Sequence, residues 1–157
     1  MTGLYLRELT LSHFRSHRRA VLSLDARPIA IFGRNGAGKT NILEAVSLMS
    51  PGRGLRGASA EDMARRPESV GWKLTGVLQS LHQVHEVETW AEPGGSRNVT
   101  IDGKTAAQVA LGRICAEIIV QGALNIDGVR GVPFNEIAII AIHGAHETRQ
   151  RFNHPRR

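Results

Sequence analysis

The stretch Gly33-Arg34-Asn35-Gly36-Ala37-Gly38-Lys39-Thr40 decides how this chain is read, because it satisfies the pattern G-x-x-x-x-G-K-[ST] of a phosphate-binding loop. Its surroundings give the pattern meaning. Just before it, Pro28-Ile29-Ala30-Ile31-Phe32 is a short apolar run with β-branched residues, as expected of a buried parallel strand. Just after it, Ile42, Leu43, Val46 and Met49 recur at helical spacing. In such a unit the glycines let backbone N–H groups turn inward around an anion. The helix aims its free N–H groups and positive dipole end at the same point. The stretch therefore predicts nucleotide binding, with Lys39 reaching the β- and γ-phosphates and the Thr40 hydroxyl ligating Mg²⁺.

Upstream, Leu4, Leu6, Leu9 and Leu11 mostly alternate with Tyr5, Arg7 and Thr10, the period-2 pattern of a strand with one buried face. His13-Phe14-Arg15-Ser16-His17 breaks it, and a second alternation, Val21-Leu22-Ser23-Leu24, leads through Asp25-Ala26-Arg27 into the strand before the loop. Downstream, Ser50-Pro51-Gly52-Arg53-Gly54 stops the helix. Ser59 is placed to cap a short helix to about Arg66, with Glu61 and Asp62 favourable in its first turn. Residues Gly71–Leu81, Val84–Ala91 and Asn98–Asp102 read as a β-meander, and Asp102-Gly103 is a tight-turn signal. Thr105 to about Ile114 reads as a helix, Glu117–Val120 as a short strand and Phe134–Ile142 as another. The tail from His146 is basic.

At 157 residues the chain is the size of one domain. A chain this long buries about 68–70% of its unfolded surface, enough for a true core. Aromatic residues make up only 4%, so that core is built from Leu, Ile, Val and Ala, which suits an α/β protein. The single cysteine, Cys115, excludes an intrachain disulfide and fits a reducing compartment. No long apolar stretch precedes Arg7 and Glu8, and Ile137 to Ile142 is too short to span a bilayer, so the expectation is a cytoplasmic protein with no membrane partner. His143 and His146 lie three apart without a third ligand, so no resident metal site is expected there.

The net charge of +6 is informative once located. Residues 1–56 hold nine Arg and Lys against three acids, and the remainder carries eleven of each sign. Concentrating the whole excess in the nucleotide-binding third favours polyanionic partners, with Arg18, Arg19, Arg53 and Arg56 as candidate contacts to nucleic-acid phosphates. A solvated basic face with no partner is the alternative.

Taken with its flanks, the loop resembles the RecF family of bacterial DNA repair ATPases, relatives of the SMC and ABC-type ATPases. The residues that carry the resemblance are Leu9-Thr10-Leu11-Ser12-His13-Phe14-Arg15-Ser16, Gly33 to Thr40, Asn41-Ile42-Leu43-Glu44-Ala45-Val46-Ser47-Leu48 and Ser50-Pro51-Gly52-Arg53-Gly54-Leu55-Arg56. The resemblance is good over residues 4–66, fainter but in register to about Cys115. It implies that Arg15, Ser16 and Asn41 lie near the nucleotide together with the loop. Arg34 stands where the family usually has proline, a change that backbone-mediated phosphate binding tolerates.

Family members are longer, and their second half carries a signature motif and an apolar strand ending in Asp-Glu, which holds Mg²⁺ and positions the attacking water. Here Ile118-Ile119-Val120 runs into Gln121, and Ile139-Ile140-Ala141-Ile142 into His143. By the resemblance Gln121 is a candidate for the glutamine that ABC and SMC relatives place near Mg²⁺; read by itself it is a polar residue at a strand end.

The expected architecture is α/β: a P-loop NTPase, the N-terminal lobe of an ABC/SMC-type ATPase head, with a mixed sheet around the phosphate loop and an antiparallel β-meander beside it. Residues 1–121 form that lobe and 122–157 a divergent tail. The resemblance implies ATP and Mg²⁺ as ligands, single-stranded or gapped double-stranded DNA as partner, and an ATP-dependent homodimer with nucleotide sandwiched between protomers. Without the acidic pair, the expectation is a truncated form that binds ATP with impaired hydrolysis. Two alternatives stand beside it. A P-loop small-molecule or nucleoside kinase has a similar loop but needs a phosphoacceptor site and an Arg-rich lid. A frameshifted, non-catalytic fragment fits the loss of resemblance near Cys115.

Overall fold

In a computed structural model, residues 5–27, 29–50, 52–79, 82–111 and 137–140 are described. Strands β1 (Tyr5–Phe14) and β2 (His17–Ser23) form a hairpin turning at Arg15-Ser16. The leucines of β1 all reach the core: Leu6, Leu9 and Leu11 are fully buried, as is Phe14. Leu6 and Leu9 are three residues apart and yet share a face because the pairing of β1 with the next strand slips between Leu6 and Glu8. A bulge of this kind takes up one extra residue and restores the inward alternation.

The β-meander stands as expected: β3 (Ile29–Phe32) precedes the loop, and β4 (Trp72–Gln79), β5 (Val84–Ala91) and β6 (Asn98–Ile101) follow one another in antiparallel register. The six-stranded sheet runs β2-β1-β4-β5-β6-β7, with β7 (Lys104–Thr105) closing a two-residue hairpin. Asp102 and Gly103 in that hairpin have φ of 51° and 74°, the paired left-handed conformations of the turn whose twist suits adjoining strands.

Helix α1 (Lys39–Ser47) packs on this sheet through Leu43 and Val46, with Leu48 and Met49 just beyond it also buried. Gly76 in β4 is what lets it approach: an added Cβ there would lie 2.6 Å from Met49 Sδ. Phe14 and Trp72 meet edge to face, with centroids 5.5 Å apart, and the Trp72 indole N–H donates to the Ala60 carbonyl at 2.7 Å.

Three expectations need correction. The run Ile29–Phe32 is a strand, but it pairs antiparallel with β8 (Ile137–Ile140) in a separate two-stranded sheet, and Phe32 is 72% exposed. Apolar residues become a buried parallel strand only when neighbouring strands and helices cover both faces. All pairings among the described residues are antiparallel, so the sheet beside the loop is not mixed there.

Helix α2 (Ala60–Met63) is capped by Ser59, whose Oγ accepts from Asp62 N at 3.2 Å. It stops short of Arg66 because the chain is drawn extended against β1: Arg15 N donates to Met63 O and Arg65 N to His13 O, both at 2.8 Å. The third correction concerns the helix expected from Thr105. The hairpin claims Lys104 and Thr105, and Ala106 N donates to Val99 O at 3.0 Å, so a 3₁₀ turn at Gln108–Ala110 intervenes and the α-helix starts only at the buried Leu111. Past Leu111, the rest of that helix, Cys115, the strand at Glu117–Val120, Gln121, His143, His146 and the basic tail lie outside the described residues. No helix among the described residues is long and apolar enough to cross a membrane.

Candidate nucleotide-binding site

The loop emerges from β3 and closes onto the N-terminus of α1. Gly36 and Gly38 take left-handed φ of 84° and 88°, and Gly38 is the residue that caps α1. These conformations, open to glycine at little cost, turn successive N–H groups toward one side of the loop. Within the loop, Ala37 N donates to Arg34 O at 3.1 Å, and the Lys39 ammonium donates to Gly33 O at 2.5 Å and Arg34 O at 2.9 Å. Lys39 is thus held against the loop's own carbonyls. Thr40 is exposed in the first turn of α1.

Beside these groups lies a recess of about 220 Å³, lined by Asn35, Gly36, Gly38, Lys39, Thr40 and Asn41 and, from across, by Arg56. Arg56 comes from the loop after α1. Its Nη1 donates to Asn41 Oδ1 at 3.3 Å and approaches Glu44 Oε2 at 3.4 Å. Asn41 Nδ2 in turn donates to Ser16 Oγ at 2.8 Å. Arg15 grips the same Glu44 with two short bonds, Nε to Oε2 at 2.9 Å and Nη2 to Oε1 at 2.8 Å, and gives a third to Asp62 O at 2.7 Å. Ser16, Asn41, Arg56, Glu44 and Arg15 thereby form one closed chain of polar contacts around the start of α1.

Glu44 is fully buried, and sequence reasoning did not single it out. The signal available was a carboxylate next to Leu43 on a helix otherwise apolar on its packed side, in a region rich in arginine. Such a buried charge is tolerable only when paired and hydrogen-bonded, and both arginines serve it. Arg97 was missed as well. It donates to Thr89 Oγ1, to Gly52 O and to Leu48 O at 2.8, 2.7 and 2.6 Å, joining the sheet to the end of α1 and to the loop that carries Arg53 and Arg56. Burial pushes its guanidinium down to about 10, so it stays charged at neutral pH beside carbonyls at a helix C-terminus.

The other arginines divide. Arg18 and Arg19 are exposed on β2, and as successive strand residues they point to opposite faces. Arg53 is exposed, while Arg56 is drawn into the recess. Gln121 lies outside the described residues, and among those described no group of three His, Cys, Asp or Glu is placed to hold a metal.

A family model described as an AAA domain matches residues 8–107, the span from β1 through β7 that includes the whole recess. Curated relatives are similar over the same part. The RecF DNA replication and repair protein of Caulobacter sp. (strain K31) is 54% identical over 117 residues, 67% of this chain and 30% of that protein. The corresponding protein of Caulobacter vibrioides is 45% identical over 112 residues, 67% and 29%. The chain thus spans under a third of the length of these relatives. Among solved structures, the recombination mediator RecF with ATP superposes with a TM-score of 0.63 at 24% identity, over 74% of this chain and 32% of that one. An SMC head bound to the C-terminal winged-helix domain of ScpA gives 0.62 at 19%, over 71% and 40%. These two structures support the fold, an α/β architecture shared with RecF and SMC heads. By the family match the chain belongs to the AAA domain family, as a relative of the N-terminal part of RecF.

Proposed function

We propose that residues 1–121 form a nucleotide-binding lobe that takes ATP with Mg²⁺ and engages DNA, in the manner of a RecF-type repair protein. The observation that carries this reading is the recess itself. Inward-turned backbone at Gly36 and Gly38, the Lys39 ammonium, the Thr40 hydroxyl and the Arg56 guanidinium converge on about 220 Å³ at the start of a helix. That donor set contains no carboxylate facing the recess and suits a polyanion. Its size suits the phosphate tail, with the base outside it. The cradle is Gly33 through Asn41, with Ser16 beside it. Arg15 acts through Glu44, and Mg²⁺ would arrive with the phosphates and take Thr40 as a ligand from the protein.

Thermal melts with and without Mg-ATP test this. A ligand that binds only the folded state stabilises it by about 2.7 kcal/mol at a hundredfold excess over Kd. The shift is expected in the wild type and lost in Lys39→Ala; equal shifts in both would remove the reading.

DNA, single-stranded or gapped, is assigned to the exposed arginines Arg18, Arg19 and Arg53, with Arg56 shared with the nucleotide. If three phosphates are neutralised, the slope of log K against log salt is about −2.7. Affinity that ignores salt, or the loss of these arginines, would exclude this surface. An ATP-dependent homodimer in a cytoplasmic setting completes the proposal.

Turnover by this chain is expected to be impaired, since no apolar run after the loop ends in an acidic pair to hold Mg²⁺ and direct water. A single-turnover assay against the Lys39→Ala control checks this, and lysine-dependent hydrolysis at about 1 s⁻¹ or faster would refute it.

A further inference from the structure

The end of β1 and the turn into β2 are held in a conformation that non-glycine residues rarely adopt. His13 and Arg15 both have left-handed backbone, at φ of 49° and 52°. Non-glycine residues in this region persist where the surroundings over-determine them, and they cluster at functional sites. Here the surroundings are explicit: Arg15 N is bound by Met63 O, its side chain by Glu44 and Asp62, and Ser16 O accepts from Arg65 Nη1 at 2.6 Å.

The effect is to press the turn against the phosphate loop at one point. An added Cβ on Gly38 would lie 2.6 Å from His17 Nε2 and 2.7 Å from Ser16 Oγ, whereas one on Gly36 would meet nothing within 4 Å. His17 Nε2 sits 3.1 Å from the Gly38 carbonyl oxygen. A carbonyl can only accept, so Nε2 carries the hydrogen in this contact. The same oxygen takes the N–H groups of Asn41 at 3.0 Å and Ile42 at 3.2 Å, the first bonds of α1. Peptide units are rigid and trans, so the direction of the Gly38 carbonyl sets the opposite direction of the Lys39 N–H. That N–H is one of the donors without a partner inside the helix.

We propose that His17 is a positioning residue of the phosphate loop: its Nε2–H, delivered by the strained β1–β2 turn, fixes the Gly38–Lys39 peptide unit and so aims the Lys39 N–H at the nucleotide phosphates. This rests on the nucleotide-binding reading above, and it adds to the loop a contact from a distant strand that the loop pattern does not contain.

Three variants of the full chain test it. H17L removes the donor at similar volume, H17Q places an amide nitrogen near Nε2, and H17N carries the same amide too short to reach. Two quantities are read: the affinity for Mg-ATP, and the amide resonance of Lys39 in the nucleotide-free protein. H17L is expected to weaken Mg-ATP binding by about 2- to 12-fold, the range for one hydrogen bond of ordinary net strength, and to displace the Lys39 resonance, with H17Q restoring both. Wild-type affinity and an unmoved Lys39 resonance in H17L overturn the proposal. Should H17L fail to fold, H17Q and H17N decide, and equal affinities for those two overturn it. If the wild type itself does not bind Mg-ATP, the nucleotide reading has failed. The Lys39 resonance then rules separately: moved in H17L and restored in H17Q it supports the positioning, and unmoved it overturns it.

Discussion

The six-stranded sheet and the strand β3 that carries the phosphate loop are written in similar apolar residues, yet they are stabilised differently. Leu6, Leu9 and Leu11 of β1 and Leu74 and Leu78 of β4 are fully buried beneath α1, while β3 alternates half-buried with exposed residues and leaves Phe32 72% exposed. The sheet is held by burial, which is non-directional and grows with area. The loop side is held by a few directional contacts gathered on Glu44 and Gly38. Burial tolerates small shifts, whereas a phosphate cradle needs its donors aimed, so the difference matches what each region has to do.

The comparison can be broken at its strongest point first. Glu44→Ala leaves Arg15 and Arg56 without their shared carboxylate, and removing one partner of a buried ion pair costs about 3–5 kcal/mol. The low end is expected because Arg15 retains 19% side-chain exposure. At about 2–4 °C per kcal/mol in a domain of this size, the melting temperature should fall by roughly 6–12 °C. Stability within experimental error of wild type would show that the network does not hold the loop side.

Next, Leu74→Ala should cost about 2–5 kcal/mol through the cavity it opens, while Phe32→Ser should stay within about 0.5 kcal/mol. Denaturant titrations of both variants decide. A Phe32→Ser loss as large as that of Leu74→Ala would mean that β3 is covered in solution and the contrast is false.

A further small effect lies at the far hairpin, at the outer edge of the six-stranded sheet. There Asp102 accepts from His85 Nδ1 at 2.7 Å and from Glu86 N at 2.9 Å, and these bonds, His85 first, hold its carboxyl below the usual 3.8. Because the folded value is the lower one, the contribution is present above pH 3.8 and is lost as pH falls through the folded value. Asp102→Asn keeps a residue that suits the left-handed turn, so near neutral pH it should cost less than about 1 kcal/mol. The gap between variant and wild type should close in acid; a gap that persists at pH 2 would assign it to turn geometry instead.

Much of this was legible beforehand, for reasons that differ by region. The meander could be read because alternation and turn chemistry are local: Asp102-Gly103 dictates its hairpin whatever surrounds it. The helix read from Thr105 starts later, at Leu111, because that same hairpin claims Lys104 and Thr105 as a strand. The recess was half legible. The loop glycines, Lys39 and Thr40 announce themselves, whereas the contacts of Arg56 with Asn41 and Glu44 join separate turns of the chain and leave no local signal.

The sequence by itself determined the backbone of the cradle and most strands of the sheet, since glycine placement and side-chain periodicity act over a few residues. Only the tertiary structure decided which arginine meets which carboxylate, that Arg97 closes the end of α1, that β3 pairs with β8, and that His17 touches Gly38. Those contacts join residues far apart in the chain, and their free energies depend on burial and geometry that no local pattern encodes.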